Sequence, residues 1–317
     1  MDFNRSVEHF VTLFDSCYLP MGLSLYKSLI EQAQPFHLWV ICMDDDLEDR
    51  LHLLSLPHLT LIKLKDVETR DLIDVKCKRS KGEYCWTMTP FAPQFVLEMD
   101  STIDHVTYID ADMFFFNDPR ILLNEFLRSE KHVLMTEHFY APEYDQSSTS
   151  GRFCVQFMTF RRTRESTNIL HWWQHRCLEW CSARCENGKL GDQKYLDDWP
   201  DIFASDVHIL KQVEKTLAPW NVSFFEKQSE GKLNPVFYHF EGFRIIKPDK
   251  ALLCSSYKVG KAALILYDRY ILDLRSSIDV LKNRGFPIQT MTRKKETYQI
   301  LRDFIRRLTG RIHYKTI

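Results

Sequence analysis

The chain has 317 residues, of which 44% are hydrophobic and 27% are charged, and its formal net charge is −1 at pH 7. This composition excludes a disordered chain, and the length allows one or two domains with a sizeable core. The N-terminus has no signal-peptide pattern and no long apolar run is present, so we expect a cytoplasmic protein without a membrane-spanning helix. The nine cysteines lack paired C-x-x-C spacing, which favours free thiols.

Short apolar runs alternate with helical patterns in the first half of the chain, as is typical of βαβ units around a mostly parallel sheet. The runs predict strands over residues 9–14, 36–43, 59–64 and 105–109. The intervening patterns predict a helix from 19 to 31 and a second helix that starts at 44–46, where acidic residues suit the first turn. We therefore predict an α/β, Rossmann-like fold with helices on both faces of the sheet.

The second half of the chain contains one more predicted strand, over residues 154–160. A helix is expected over 167–184, and a short helix after the polar segment that ends in Gly191-Asp192-Gln193. From Ala262 onward the pattern predicts helix to the end of the chain. The simplest division is a catalytic domain over residues 1–255 and a helical C-terminal appendage over 256–317.

The C-terminal segment 293–317 is strongly basic, with eight lysines or arginines against two acidic residues. Its net charge is therefore +6, and the first 292 residues carry −7. On a helix, Leu301, Ile305, Leu308 and Ile312 share one face with arginines on both sides of it. The charge imbalance suggests an anionic partner, either a membrane surface or a nucleic acid. The helical pattern predicts a basic amphipathic helix that binds either a membrane surface or the acidic body of the protein.

Asp110 and Asp112 form a D-x-D in the segment VTYIDADMFFFNDP, which spans residues 106–119. Apolar residues lie on both sides of the pair, so we expect its flanks to be buried. Two like charges in such a place repel each other and lose hydration, and a divalent cation compensates both effects. Oxygen ligands favour Mg²⁺ or Mn²⁺, which commonly complete their coordination with waters and substrate phosphates.

Other interpretations compete with a metal site at this pair. The two aspartates could be solvated at the edge of a loop, as we expect for Asp44 and Asp46, which open a helix. Alternatively, Asp110 could be the nucleophile of a haloacid-dehalogenase-type phosphatase, although the pair lies far from the chain start and is followed by Met113. A protein that binds sugar nucleotides without turnover is a third alternative.

Four motifs, in order, resemble those of glycosyltransferase family 8 and related bacterial enzymes that decorate lipopolysaccharide or capsule. They cover about residues 9–247 and comprise T-L-F-D-S-C-Y-L (12–19), Y-I-D-A-D (108–112), G-D-Q-K-Y-L (191–196) and H-F-E-G (239–242). The resemblance implies a GT-A fold, a UDP-sugar donor, retention of anomeric configuration, and a glycan or lipid-linked saccharide acceptor at the cytosolic membrane face. It implies no nucleic-acid partner.

The resemblance also implies roles for individual residues. The metal, Mn²⁺ or Mg²⁺, would be held by Asp110, Asp112 and His239, while Asp192 and Gln193 would border the donor sugar as catalytic residues. Asp15 would accept a hydrogen bond from the base and Tyr18 would stack on it. The residues assigned to the sugar nucleotide are Thr12, Phe14, Asp15, Tyr18, Lys81, Asp110, Ala111, Asp112 and Gln156.

Two departures from the family pattern concern the donor. The family's F-N-[SA]-G segment reads Phe153-Cys154-Val155-Gln156 here, so the amide expected beside the sugar is absent or is supplied by Gln156. The arginine expected before the metal strand is also absent, and Arg79 or Lys81 could contact phosphate instead.

A cluster of histidines and cysteines between His171 and Cys185 could be interpreted as a zinc site. On a continuous helix, Cys177, Cys181 and Cys185 would share the core-facing side with Leu170. Because buried free cysteine packs as a small hydrophobic residue, we expect a core stripe at this position.

Overall fold

A computed structural model describes residues 6–291 and 313–317 of the protein. Its strands are β1 (Glu8–Phe14), β2 (Phe36–Cys42), β3 (Leu59–Lys63), β4 (His105–Ile109), β5 (Met113–Phe115), β6 (Val133–Glu137), β7 (Phe153–Arg161), β8 (Val207–Ile209), β9 (Thr216–Leu217), β10 (Phe237–His239), β11 (Arg244–Lys247), β12 (Lys250–Cys254) and β13 (His313–Thr316). Its α-helices are α1 (Leu19–Gln32), α2 (Asp45–Leu54), α3 (Leu64–Val67), α4 (Arg70–Lys76), α5 (Lys81–Met88), α6 (Ala92–Met99), α7 (Arg120–Leu127), α8 (Ser147–Ser150), α9 (Arg164–Glu179), α10 (Trp199–Ile202), α11 (Val222–Gln228) and α12 (Lys261–Asn283). Short 3₁₀ turns occupy Ser16–Tyr18, Thr89–Phe91, Pro142–Tyr144, Lys194–Asp198 and Val213–Lys215.

The central sheet has seven strands in the order β3-β2-β1-β4-β7-β6-β8. All neighbours are parallel except β7, which runs antiparallel to both β4 and β6. One hydrophobic cluster joins one face of the sheet to α5, α6 and α9, and another joins the opposite face to α1, α2 and α7. The predicted α/β fold, with a mostly parallel sheet and helices on both faces, is confirmed.

The strand order reverses direction between β1 and β4. From β1 the chain moves outward to β2 and β3, and it then returns to place β4 on the other side of β1. In open α/β sheets, ligands bind in the crevice at the carboxyl ends of the strands that flank such a reversal. The residues that follow β1 and β4 therefore face the expected ligand crevice.

The predicted strands of the first half agree with the structure to within one residue at each end. They were recognisable because parallel strands are buried on both faces and therefore read as nearly continuous apolar runs. The second helix begins after Asp44, whose side chain accepts a hydrogen bond from the Leu47 N–H and caps the helix.

The structure corrects the interpretation of the cysteine stripe. Helix α9 begins after its cap Thr163 and ends at Glu179, five residues before the predicted end. Cys177 and Cys181 are buried, as expected, but Cys185 lies beyond the helix and is exposed. All nine cysteines are free, and the histidines and cysteines of this region form no cluster with metal-ligand spacing within the described chain.

The prediction of helix from Ala262 to the end of the chain is wrong after Asn283, where α12 ends and residues 284–291 form no helix, and it is wrong again for the last residues. His313–Thr316 form β13, which pairs antiparallel with β12. The segment H-Y-K-T alternates half-buried and exposed side chains, and its tyrosine and threonine favour strands. The predicted amphipathic face of Leu301, Ile305, Leu308 and Ile312 lies outside the described residues.

Helix α12 covers the outer side of α1. Ser24 and Ser277 share a hydrogen bond of 3.2 Å in this contact, and the Lys27 ammonium donates to Ser276. No helix in the described ranges combines the length and apolar character needed to cross a bilayer.

Gly22 lets α1 lie directly against the end of β1. A Cβ atom at this position would lie 2.5 Å from the Phe14 ring, which is closer than real Cβ contacts. We expect Gly22→Ala to displace Phe14 and lower the free energy of unfolding by about 1–3 kcal/mol, as overpacking does.

Gly82 in α5 offers a matched control, since nothing lies within 4 Å of a Cβ built there. Gly82→Ala should leave the free energy of unfolding unchanged or raise it by up to about 1 kcal/mol through helix propensity. Urea denaturation of both variants measures the difference, and equal stabilities would contradict the close approach at Gly22.

Candidate active site

Three potential metal ligands meet at the carboxyl end of β4. Asp110 and Asp112 lie in the turn between β4 and β5, and β10 pairs antiparallel with β5, which places His239 opposite Met113. The Phe240 N–H donates to the Asp112 carbonyl at 2.9 Å and fixes this register. One potential ligand atom from each of Asp110, Asp112 and His239 lies within 4.8 Å of the other two.

The imidazole of His239 is oriented from behind by Gln156. The Gln156 Oε1 atom lies 2.8 Å from Nδ1, and because a carbonyl oxygen only accepts, Nδ1 carries the proton. The other ring nitrogen, Nε2, therefore faces the carboxylates, at 3.0 Å from Asp112 and 3.7 Å from Asp110.

The electrostatics of this cluster reflect burial and mutual repulsion. Burial raises the pKa of Asp110 to about 6, with the Asp112 charge adding to the shift and His239 opposing it. Burial lowers the pKa of His239, but the Asp112 carboxylate more than offsets this and leaves it well above its usual value. A positive charge between the two carboxylates is therefore favoured.

The donor set fits a divalent cation. Two carboxylates supply hard oxygen ligands, and the Nε2 lone pair of an imidazole whose Nδ1–H is held by a carbonyl is a common third ligand. Asp110, Asp112 and His239 could therefore hold such a cation together, since one potential ligand atom of each lies within 4.8 Å of the others.

Asp192 lies beside this cluster in a buried position. Its backbone carbonyl accepts a hydrogen bond of 2.8 Å from the Trp173 indole, and Gly191 precedes it with a φ of +54°. Burial raises the pKa of the Asp192 carboxyl to about 7, with a further contribution from the Asp110 charge, while the nearby Thr89 hydroxyl lowers it.

This shift predicts a pH-dependent stability. The carboxyl of Asp192 has a pKa of about 7 in the folded chain against 3.8 in the unfolded chain, so folding loses stability as the pH rises through this window. Asparagine mimics the neutral acid and removes the loss. In EDTA, the melting temperature of Asp192→Asn minus that of wild type should therefore grow from pH 5 to 7 and then level off.

The exposed Asp198 provides the control, because Asp198→Asn should follow wild type at every pH. A melting-temperature difference between Asp192→Asn and wild type that stays constant from pH 5 to 8 would contradict the raised pKa.

The turn after β1 borders the same crevice. Asp15 caps the 3₁₀ turn by accepting a hydrogen bond of 3.1 Å from the Cys17 N–H. Burial and then the Asp112 charge raise the pKa of the half-buried Tyr18, so its hydroxyl is close to the carboxylate cluster. Burial and then the Asp44 charge raise the pKa of Asp15, and the ammonium of the exposed Lys81 opposes this shift and therefore lies near Asp15.

Comparison with known proteins identifies the chain. The sequence model for nucleotide-diphospho-sugar transferases matches residues 36–214, more than half of the chain. The chain belongs to this family. It is a glycosyltransferase, as the motifs predicted, and its donor is a nucleotide-diphospho-sugar.

The transferase is similar to two uncharacterized proteins of Bacillus subtilis (strain 168). YfnD is 29% identical over 293 residues, which cover 89% of this chain and 93% of YfnD. YfnF is 31% identical over 251 residues, which cover 75% of this chain and 82% of YfnF.

The fold is shared with solved bacterial glycosyltransferases. LgtC, a galactosyltransferase solved with donor and acceptor sugar analogs, has a TM-score of 0.51 at 11% identity, with 84% of this chain and 95% of LgtC covered. The bifunctional WbbM has a TM-score of 0.52 at 17% identity, with 89% of this chain and 52% of WbbM covered. GlyE of Streptococcus pneumoniae has a TM-score of 0.51 at 14% identity, with 88% of this chain and 64% of GlyE covered. The GT-A fold predicted from the motifs is confirmed.

The structure places the other predicted site residues of the transferase in different surroundings. Thr12 and Phe14 are buried in β1, and Ala111 is buried between the two aspartates. Gln193 is half-buried and its amide donates to the Ser150 carbonyl at 2.9 Å. The Gln156 side chain is fully buried behind His239, rather than facing the crevice as a replacement for the family's sugar-binding amide.

Two neighbours of the site escaped the sequence analysis. Thr89 is buried close enough to Asp192 to lower the pKa of its carboxyl, while its hydroxyl donates to the Cys85 carbonyl at 3.2 Å, and nothing in its local sequence marks it. Burial raises the pKa of both Tyr18 and Glu241, and the Arg244 charge opposes both shifts, which places the guanidinium at the crevice. The sequence offered one indication of a role for Arg244, namely its position five residues after His239. A cationic side chain this close to a metal ligand can reach the phosphate that the metal binds.

Proposed function

We propose that this glycosyltransferase moves a hexose from a UDP-sugar to a glycan or lipid-linked saccharide in a reaction that depends on Mn²⁺ or Mg²⁺. The observation that carries the proposal is the convergence of Asp110, Asp112 and His239 beside the Asp15–Tyr18 turn, where the strand order reverses. A crevice with these groups suits a nucleoside diphosphate, whose phosphates share a cation with the protein and whose base extends toward the end of β1.

Asp110, Asp112 and His239 would hold the cation, which neutralises the departing diphosphate when it is bound. Gln156 keeps the His239 ring in place through its 2.8 Å hydrogen bond, and the Tyr108 hydroxyl donates to Asp110 at 3.0 Å. These contacts hold the ligands before substrate arrives, so little reorganisation is needed during reaction.

The remaining residues divide between the two ends of the donor. At the base, Asp15 offers a carboxylate oxygen and Tyr18 offers a ring, while Lys81 and Arg244 supply positive charge for the phosphates. At the sugar, we place Asp192 and Gln193, because the Asp110 charge already acts on Asp192. With retention of configuration, the Asp192 carboxylate would stabilise positive charge at the anomeric carbon.

The acceptor and its location are proposals that rest on the sequence. The basic segment 293–317 would attract an anionic surface at the cytosolic face, which favours a lipid-linked saccharide of lipopolysaccharide or capsule type. Co-sedimentation of the full chain with anionic liposomes, weakened by added salt, is the expected result.

A panel of nucleotide sugars tests the donor. Thermal shifts with UDP-, GDP- and dTDP-sugars should show stabilisation by UDP-sugars in Mn²⁺ that disappears in EDTA, since a ligand at 100 times its Kd adds about 2.7 kcal/mol. Mass spectrometry of UDP release with candidate acceptors then follows turnover. Equal stabilisation by UDP-sugars with and without the cation would contradict the metal role.

A further inference from the structure

Residues 284–291, here called the strap, cross the carboxyl end of the sheet after α12. The strap begins with the Phe286 N–H donating to Leu281 at 2.9 Å. Arg50 of α2 holds its middle, with one nitrogen donating to the Pro287 carbonyl at 3.1 Å. Its far end is tied to β11, because the Met291 N–H donates to Ile245 at 2.7 Å.

Gln289 in this strap contacts the turn that follows β1. Its amide nitrogen donates to Ser16 Oγ at 3.0 Å and to Asp46 at 3.1 Å, and its carbonyl oxygen accepts from the Cys17 thiol at 2.9 Å. Ser16 Oγ in turn donates to Asp44 at 2.9 Å. Gln289 therefore bridges the turn and the start of α2, although it lies more than 270 residues from the turn in sequence.

The hydrogen bonds that Gln289 already makes limit its contacts with a ligand. A glutamine amide has two N–H donors, and both are used by Ser16 and Asp46. No donor is left for a ligand. Gln289 consequently acts through the turn that it holds and does not contact a base directly.

The orientation of the Asp15–Tyr18 turn affects base recognition, because the Cys17 N–H donates a hydrogen bond to one carboxylate oxygen of Asp15. The position of Cys17 therefore sets the direction of the other Asp15 oxygen, which is the proposed acceptor for the base. The neighbouring Ile288 packs against the same hydrophobic cluster as Tyr18, so the strap supports both proposed base contacts.

We propose that Gln289 is a positioning residue that sets the selectivity of this transferase for the base of its donor. The inference rests on the proposed nucleotide site. Loss of its hydrogen bonds would free the Asp15–Tyr18 turn while leaving Asp110, Asp112 and His239 in place, because the hydrogen bonds and ion pairs that hold these three side chains come from Gln156, from Tyr108 and from one another and not from the strap. Base recognition and phosphate binding should therefore separate in a Gln289 variant.

Calorimetry with UDP, ADP and inorganic pyrophosphate, all in Mn²⁺, tests this separation. Gln289→Met keeps the length of the side chain and removes its hydrogen bonds. We expect the Kd for UDP to rise about 10-fold, which is the effect of one or two lost hydrogen bonds. The preference for UDP over ADP should fall, while the Kd for pyrophosphate and kcat at saturating donor should change less than about 2-fold.

Thr290→Ala serves as the control, because this neighbouring strap residue is exposed. Should Gln289→Met fold poorly, Gln289→Glu keeps the acceptor for Cys17, loses both donors and should lower UDP affinity at least as much. A folded variant with the wild-type preference for UDP over ADP, or with equal losses for UDP and pyrophosphate, would overturn the inference. Wild-type protein that binds pyrophosphate but shows no preference among bases would overturn it as well, whereas wild type that binds neither would refute the proposed function itself.

Discussion

Asp112→Asn is expected to lower transfer activity by about 100-fold or more and to remove the dependence of UDP binding on Mn²⁺. The Asp112 carboxylate lies 3.0 Å from His239 Nε2, and asparagine there would replace an anionic ligand with a neutral one. Mutation of residues that only hydrogen-bond to metal ligands typically lowers metal affinity or activity by about 10–100-fold, so loss of a ligand itself should lower them more. Calorimetry of UDP binding in Mn²⁺ and in EDTA, together with initial rates, measures both effects.

Asp49→Asn is the matched control, since Asp49 is an exposed carboxylate on α2. It should bind UDP and turn over donor like wild type. If Asp112→Asn retained Mn²⁺-dependent UDP binding at the wild-type affinity, the assignment of Asp112 as a metal ligand would be wrong.

Asp192→Asn should separate chemistry from donor binding. Asp192 is only 6% exposed, and its neutral replacement preserves shape while removing the charge that would stabilise the anomeric carbon. We expect kcat to fall about 100- to 1,000-fold, as when one preorganised electrostatic group is removed, while the Kd for UDP stays within about 3-fold.

Asp198→Asn changes an exposed carboxylate six residues further along the chain and should leave kcat unchanged. A parallel fall in kcat and in UDP affinity for Asp192→Asn would place Asp192 in donor binding instead of in the chemical step. NMR of the sugar product from wild type, which we expect to keep the anomeric configuration of the donor, tests retention independently.

The sequence was most informative where local pattern and burial coincide. The parallel strands were predictable because both of their faces are buried, and Asp110 and Asp112 stood out because charged residues are rare between apolar segments. His239 depended on the order of the motifs, since nothing in a lone histidine after an apolar run marks a ligand. Its approach to Asp112 is a product of the β5–β10 pairing.

Contacts between distant segments were not predictable from the sequence. Gln156 looked like a substitute for a sugar-binding amide, but the β4–β7 pairing places its side chain behind His239. The strap lay inside the segment predicted as helix, and its hydrogen bond with Ser16 forms only in the folded chain, because the two residues are far apart in sequence. The strand at His313–Thr316 is too short to outweigh the helical pattern before it, and only its pairing with β12 reveals it.

The division of the metal cluster along the chain has a consequence during protein synthesis. Asp110 and Asp112 leave the ribosome 127 residues or more before His239, and the strap that reaches Ser16 emerges later still. Closure of such long loops is slow and entropically unfavourable until the final contacts form. A nascent or truncated chain that ends before His239 would thus contain all seven strands of the central sheet and both aspartates, yet it could not assemble the cluster, so catalytic competence would be reached only after His239 and the strap have been made.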